Sequence, residues 1–482
     1  MKKILSILFI LLTTTAFGEL SVQEKLDNRN FPSIFMPWHY NMNLPPSVSP
    51  RENVAYHDLI WSPESLLEFE RTETGKIRLT GDFDFTREEL DEYRSYNPNI
   101  LFILELRMRD MEFDWYFYRK IMDEYIAIAD EAGNAVLDTS GRRFLIDFVN
   151  PKMQNLIVQQ AIAIAESGFY DGIFFDFWNE KGVVLEGYRT YEAEQHARME
   201  ILKGIRAGVR DDFLILVNGL SVTENTAPYI NGTFMETFRA QRKNYNHEGL
   251  KEMGNALLWA EKNFREPQIN CLEAEGIGSE SPLSSENQQA MRCLTSLSLT
   301  HSDGFVLYTM GIQENEAHQH DSSFRNPRRN HLTDVTYGHG QDPQGLHHFH
   351  HHQHYWYDFW DADLGQPVGE KGQRYEGTEG LFIREFTNGW AVYNRSGKAQ
   401  EISLPMQTTG VASGITSFKH IVPDLDGEMF LKTDVNADVN GDGVVNILDL
   451  VAVANAFGKA EPDLNGDGIV NIQDLVIVAN AF

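Results

Sequence analysis

Acidic side chains recur at the ends of apolar runs in this chain. The stretch "YDGIFFDFWNE" (170–180) has Asp171 ahead of Ile173, Phe174 and Phe175, Asp176 near its end, and Asn179 and Glu180 just beyond. "FMETF" holds Glu236, "CLEAEG" holds Glu273 and Glu275, "NILFILEL" holds Glu105, and "FLILVNGL" brings in Asn218. A carboxylate at the mouth of a buried strand is costly unless it is paired or used. Two carboxylates facing each other can cleave a glycosidic bond: one protonates the leaving oxygen, and the other attacks the anomeric carbon or activates water. Asp176, as nucleophile or base, and Glu236, as general acid/base, form the preferred pair. Glu180 with Glu273 or Glu275 is the alternative. The chain has no G-x-S-x-G elbow and no H-E-x-x-H helix, the marks of a serine hydrolase and a zinc protease. Side chains alternate along a strand, so Asp176 shares a face with Phe174 and opposes Phe175 and Phe177. Whether that face looks inward is decided by the fold.

The elements that must position these acids are strands. Eight apolar runs of strand type recur between residues 31 and 311: 31–38, 99–106, 142–149, 170–177, 213–220, 232–238, 267–274 and 303–310. Helical patterns such as "KMQNLIVQQAIAIAESG" lie between them. Continuous apolar runs indicate parallel strands buried on both faces. Eight βα units predict a (β/α)8 TIM barrel, whose working residues sit at the C-terminal ends of the strands. A doubly wound sheet is the lesser reading, because no G-x-G-x-x-G follows the first strand. Trp38, His39, Tyr40, Trp61, Trp178 and Tyr308 fall near strand ends. They are expected to offer sugar-stacking faces, with Glu105 and Asn218 as polar contacts. From about residue 363, "GLFIREFTNGWAVYNRSGKAQEISLP" reads as short strands joined by a tight turn, predicting a small all-β sandwich domain.

The last 45 residues hold a repeat. "DVNGDGVVNILDLVAVANAF" (438–457) and "DLNGDGIVNIQDLVIVANAF" (463–482) agree at 16 of 20 positions. Side-chain oxygens fall at loop positions 1, 3, 5, 9 and 12: Asp438, Asn440, Asp442, Asn446 and Asp449, then Asp463, Asn465, Asp467, Asn471 and Asp474. Position 7 brings the backbone carbonyls of Val444 and Ile469. Gly443 and Gly468 occupy position 6, where an EF-hand loop turns sharply. Hard oxygen ligands at this spacing suit Ca²⁺, and two sites are expected, in an α-helical, EF-hand-like module.

Composition narrows the partners. A net charge of −29 argues against nucleic acid and anionic membranes, which require basic patches. "MKK", the apolar "ILSILFILL" and the small-residue "TTTAFG" predict a signal peptide over 1–18, and hence a secreted, periplasmic or cell-surface protein. No later stretch reads as a membrane span. Cys271 and Cys293 are the only cysteines, and pairing and burial as free thiols are equally favoured. Ten of the 16 histidines lie between His318 and His354, in a Gly/Pro/Asn/Asp-rich stretch that reads as a long loop. A solvated loop is favoured there over a lid or a transition-metal site.

Two resemblances add to this reading. Position 12 is Asp, not Glu, and no entering helix precedes either loop, so residues 434–482 resemble a dockerin. That implies Ca²⁺ binding and attachment to a cohesin-like or other surface partner. Positions 10 and 11, often small hydroxyl residues in cellulosomal dockerins, are Ile447, Leu448, Ile472 and Gln473 here. Residues 31–400 resemble the hypothetical glycoside-hydrolase-like (β/α)8 families, on "FMPWHYN", "YDGIFFDFWN", "LVNGLS", "FMETF" and "HYWYDFWDADLGQPVG". This resemblance implies a glycosidase acting on a poly- or oligosaccharide. The expected organisation is a signal peptide (1–18), a barrel (19–362), a β-sandwich (363–433) and a dockerin-like module (434–482). The alternatives are a non-catalytic carbohydrate-binding protein on a degenerate barrel and a metal-dependent hydrolase using the His-rich loop.

Overall fold

A computed structural model describes residues 20–37, 48–63, 65–112, 116–138, 141, 143–219, 222–236, 245–277, 280–310, 353–433, 437–464 and 468–481. Eight parallel strands form the main body: β1 Phe35–Met36, β2 Leu59–Trp61, β3 Leu101–Arg107, β4 Gly172–Asp176, β5 Leu214–Asn218, β6 Gly232–Glu236, β7 Cys271–Gly276 and β8 Phe305–Met310. Each pairs with the next, and a parallel bridge from Ile34 to Val306 closes the ring. Outer helices include Phe83–Tyr96, Pro151–Ser167, Tyr191–Gly208, His247–Asn263 and Ser285–His301. Their ends are written locally. Asn150 caps Pro151–Ser167, which has proline in its first turn and stops at Gly168 with φ of 72°, a left-handed value that favours glycine. The (β/α)8 expectation holds.

One of the eight expected strands is not in the barrel. Arg143–Leu145 pairs antiparallel with Asp110–Glu112 in a separate two-stranded ladder. Phe144, Ile146 and Phe148 are buried while Arg143 and Leu145 are half-exposed, the pattern of a strand covered on one face. Its place is taken by β2. All three β2 residues are buried, but three residues are too few to stand out as an apolar run.

The barrel interior is aromatic. Trp61 from β2 stacks on Phe174 from β4, with ring centroids 4.6 Å apart, and meets Phe234 from β6 at 5.1 Å. Phe35 from β1 packs on Trp61 and Phe234 at 5.5 and 5.9 Å. Contributions from alternate strands are how a (β/α)8 barrel fills its centre. Since Phe174 and Phe234 point inward, so do the residues two further along, Asp176 and Glu236.

The C-terminal β region is a five-stranded antiparallel sheet: β9 Leu381–Phe386, β10 Gly389–Asn394, β11 Gln400–Gly410, β12 Thr416–Val422 and β13 Asp426–Lys432, in the order β9-β10-β13-β11-β12. Phe382, Phe386, Ala391, Tyr393 and Met429 join the barrel core. Trp390, Val392, Ile402, Leu404, Val422 and Phe430 form a second core. The pairing of β11 with β12 shifts register between Ser403 and Thr408, and such irregularities bend a sheet. Arg292 pairs with Asp426 at 2.7 Å across the junction with the barrel. The last segment holds helices Ile447–Asn455 and Ile472–Asn480 around Ala437, Val453, Ala456, Val470 and Val478. Cys271 and Cys293 are both buried free thiols. Among the described residues, no helix is long and apolar enough to cross a membrane.

Candidate active site

The C-terminal ends of β3 to β7 bring the expected acids together. Asp176 ends β4 and is nearly buried. Its Oδ2 accepts from Arg107 of β3 at 2.7 Å. Its Oδ1 accepts from Asn218 Nδ2 at 2.9 Å and from the Phe177 backbone N–H at 2.8 Å. Asn218 Nδ2 also donates to Glu236 Oε2 at 3.0 Å. One amide nitrogen therefore bridges the two carboxylates.

Arg107 is the hub beneath Asp176. Its guanidinium also donates to Glu105 at 2.9 Å and to Asp110 at 2.5 Å. Burial alone would lower its pKa, but Asp176, Glu105 and Asp110 outweigh that and raise it. Burial acts to raise the Asp110 carboxyl, yet Arg107 and Arg109 hold it below its ordinary value. The Arg109 guanidinium lies 3.2 Å from the ring centroid of Phe177, within cation–π range. Phe177 has φ of 58°, a left-handed conformation costing ~1–3 kcal/mol for a bulky residue. That turn aims its N–H at Asp176.

On the far side, β6 and β7 run in register with Glu236 beside Glu273. Glu273 has no exposed surface. Burial, then the charges of Glu236 and Glu275, push its pKa well above the ordinary carboxylate range. Glu275, two residues on, is half-exposed at the rim.

Other expected residues lie elsewhere. Glu180 is fully buried. Its oxygens accept from the Thr223 N–H at 2.8 Å, from Thr226 Oγ1 at 2.6 and 2.7 Å, and from Trp178 Nε1. It ties the loop after β5 to the loop after β4. Trp178, expected as a sugar-stacking face, is instead wholly buried, stacked on Phe175 with centroids 5.5 Å apart. Phe175 alternates away from the barrel interior, so Trp178 packs in the outer layer. Tyr308, expected as a substrate contact, also turns outward. It is buried, and its hydroxyl donates to Asn287 of helix Ser285–His301 at 3.0 Å. Trp61 is barrel core. Trp38, His39 and Tyr40 lie outside the described residues, as do residues 1–18, expected as a signal peptide, and the His-rich stretch up to residue 352. His354 at its end is buried, its Nε2 3.0 Å from His57 Nε2.

Sequence reasoning missed Arg107 as the partner of Asp176. "ELRMRD" did carry a signal, since two arginines among acids at a strand end imply countercharge. Nothing in the sequence marked Phe177 as left-handed. Asp171, at the opposite end of β4 from Asp176, is a structural residue. Its Oδ1 accepts from the buried Lys25 at 2.8 Å and its Oδ2 from the Phe102 N–H at 2.9 Å. Asp147 pairs with Arg189 of the loop after β4 at 2.9 Å.

The C-terminal loops fit a hard cation. Asp438 oxygens accept from the N–H groups of Asp442 at 3.0 Å and Gly443 at 2.8 Å. Asp449 is buried and accepts from Asn440 at 3.0 Å and Asn446 at 2.8 Å. Those donors hold its pKa below the ordinary value. The second loop repeats this, with Asp463 accepting from Gly468 and Asp474 from Leu464 and Asn471. Gly443 and Gly468 have φ of 87° and 94°, as the sharp turn requires. Asn465 and Asp467 lie outside the described residues.

Among curated proteins, none matches this sequence. Solved structures do align with it: a maltogenic α-amylase from Thermotoga neapolitana (10% identity, 83% of this chain and 99% of that one, TM-score 0.44); a β-L-arabinopyranosidase from Geobacillus stearothermophilus (12%, 86% and 99%, 0.44); and a pullulanase from Bacillus acidopullulyticus (12%, 85% and 61%, 0.45). Residues 436–482 match the dockerin type I domain, a class that binds calcium and docks on cohesins. Residues 127–390, more than half of the chain and the span holding Asp176, Asn218, Glu236 and Glu273, match the family described as hypothetical glycosyl hydrolase family 15. The chain belongs to that family, as a glycoside hydrolase that ends in a dockerin domain.

Proposed function

We propose that the chain is a secreted retaining glycosidase acting on a poly- or oligosaccharide, with Asp176 as nucleophile and Glu236 as general acid/base. The observation that carries this reading is the Asn218 amide, which donates to both carboxylates at 2.9 and 3.0 Å. With one amide hydrogen to each carboxylate, an ideal ~120° N–H₂ fork corresponds to oxygens roughly 5 Å apart, which supports the ~5–5.5 Å spacing of double displacement over the ~6.5–9.5 Å that leaves room for an inverting water. In the first step Glu236 gives its proton to the glycosidic oxygen, Asp176 forms a bond to the anomeric carbon, and the bond from that carbon to the glycosidic oxygen breaks to release the alcohol. In the second, Glu236 takes a proton from water, whose oxygen displaces Asp176. Arg107 grips Oδ2 of the nucleophile throughout. The alternative pair through Glu180 is disfavoured, because Glu180 has no exposed surface and its oxygens hold Thr223, Thr226 and Trp178 rather than a second acid's partner.

In the C-terminal module, two Ca²⁺ ions would be held by Asp438, Asn440, Asp442, Val444, Asn446 and Asp449, and by Asp463, Asn465, Asp467, Ile469, Asn471 and Asp474. The ions would order the loops. Ile447, Leu448 and Ile472 are 63%, 56% and 59% exposed, which supports an apolar docking face for a cohesin-like partner.

Trapping tests the catalytic reading. A panel of activated 2-deoxy-2-fluoroglycosides is incubated with the protein, and the labelled peptide is identified by mass spectrometry. The label is expected on Asp176, with Asp176→Asn inert. A label on Glu180 or Glu275, or an inverted anomer in the NMR spectrum of fresh product, overturns the assignment.

A further inference from the structure

We propose that Arg109 is a positioning residue for the nucleophile: its guanidinium locks the Phe177 turn that aims a backbone N–H at Asp176, and it holds Asp110 so that Arg107 stays on Asp176. This rests on the reading of Asp176 as the nucleophile.

The first half of the argument is the turn. The Phe177 N–H donates to Asp176 Oδ1 at 2.8 Å, and its direction is set where the backbone turns, at a φ of 58°. A bulky residue stays in that region only where its surroundings over-determine it. Here they include two guanidiniums. Cζ of Arg109 lies 3.2 Å from the Phe177 ring centroid, and Cζ of Arg107 lies 5.3 Å from it. Arg109 and Phe177 are both half-buried, and partial shielding from water strengthens a cation–π contact. Arg109 is itself fixed. Its Nε donates to Asp110 Oδ2 at 2.7 Å, its Nη2 donates to the same oxygen, and its carbonyl accepts from the Ile146 N–H at 2.7 Å.

The second half is charge. Asp110 has no exposed surface. Its Oδ1 accepts from Arg107 Nη2 at 2.5 Å, while Oδ2 is taken by Arg109. With one cation on each of its oxygens, Asp110 leaves Nη1 of Arg107 to Asp176 at 2.7 Å and to Glu105 at 2.9 Å. Burial acts to raise the Asp110 carboxyl, and Arg107 and then Arg109 outweigh it. Without Arg109, that buried carboxylate would rest on Arg107 alone and compete with Asp176 for its charge. On β3 Glu105, and on β6 Glu236, which Asn218 links to Asp176, are acids and oppose the charge on Asp176. The two arginines favour it.

The test is the pH dependence of kcat/KM on the dinitrophenyl glycoside hydrolysed fastest in a pyranoside panel. That leaving group needs no proton from Glu236, so the acid limb reports ionisation of the nucleophile. Arg109→Met keeps the stem and removes the guanidinium. It should lower kcat/KM by about 10²-fold and move the acid limb up by about one pH unit. Arg109→Lys keeps the charge but not the flat face, so its limb should stay within about 0.3 unit of the wild type while kcat/KM falls about 10-fold. Phe177→Leu removes the ring that Arg109 grips. Combined with Arg109→Lys, it should lose no more than either single variant, because both break one contact. An acid limb unmoved in Arg109→Met overturns the proposal, as does a double variant whose losses multiply. Should Arg109→Met not fold, Arg109→Lys decides: the stated loss supports the proposal, and wild-type kcat/KM overturns it. Asp176→Gly with added azide separates the two layers of argument. If it yields no glycosyl azide of inverted configuration, the nucleophile reading falls and this inference with it. If it yields that azide while the Arg109 variants behave otherwise than stated, only this inference falls.

Discussion

Asp171 precedes β4 and Asp176 ends it; on the proposed function the two aspartates do different work, and that division can be measured. Asp171 is 5% exposed and its partner Lys25 1%. Their 2.8 Å contact joins the helix Val22–Asn28 to the base of the barrel. Removing one partner of a buried pair costs about 3–5 kcal/mol, because the other charge is left uncompensated. Asp171→Ala also strips the acceptor from the buried Phe102 N–H, itself a loss of about 1–3 kcal/mol. The two losses overlap, so about 4–5 kcal/mol is expected. Urea unfolding followed by tryptophan fluorescence checks it. With a slope near ~3 kcal/mol/M for a large domain, the midpoint should fall by more than about 1 M. Lys25→Met should lose a comparable amount, and the double variant should show a coupling of about 2 kcal/mol or more. Under native conditions Asp171→Ala should retain the wild-type pH profile, because it sits a full strand away from the mouth. Single variants that each cost under about 1 kcal/mol would refute the reasoning, as would a loss of kcat without a loss of stability.

Two further outcomes are expected. Burial depresses the pKa of His57 to about 4 and that of His301 to about 3. Their neutral forms therefore contribute stability that is complete above about pH 6.5 and is lost as pH falls through those values. They are worth on the order of 3 kcal/mol for His57 and on the order of 5 kcal/mol for His301; His57→Gln should flatten the acid limb of a stability–pH profile measured by thermal unfolding, and an unchanged limb would count against it. Chelation with EGTA should lower the helical signal and raise protease cleavage within residues 436–482, reversibly with Ca²⁺, while glycan hydrolysis by the barrel persists; cleavage that ignores Ca²⁺ would refute the two-loop assignment.

Much of this protein was legible locally. The two dockerin loops were readable because the spacing of oxygen-bearing side chains within twelve residues is a property of the chain itself, and the resemblance to a dockerin followed from it. The barrel was readable because parallel strands buried on both faces must be continuous apolar runs, and β3 to β8 are such runs. β2 escaped because three residues make no pattern, and Arg143–Leu145 was misplaced because an apolar run does not say which sheet it joins.

The tertiary structure decided the rest. The sequence by itself determined that Asp176 shares a face with Phe174, and no more. The fold chose the inward face when Phe174 stacked on Trp61, and so sent Trp178 and Tyr308 to the outer layer. Likewise, composition supplied acids at every strand end, but only assembly sorted them. Glu180 was closed off by Thr223, Thr226 and Trp178, Asp176 was placed on Arg107, and Glu273 was set beside Glu236. The physical reason is that strand periodicity is local, whereas which face is buried and which charge meets which partner depend on segments dozens of residues apart.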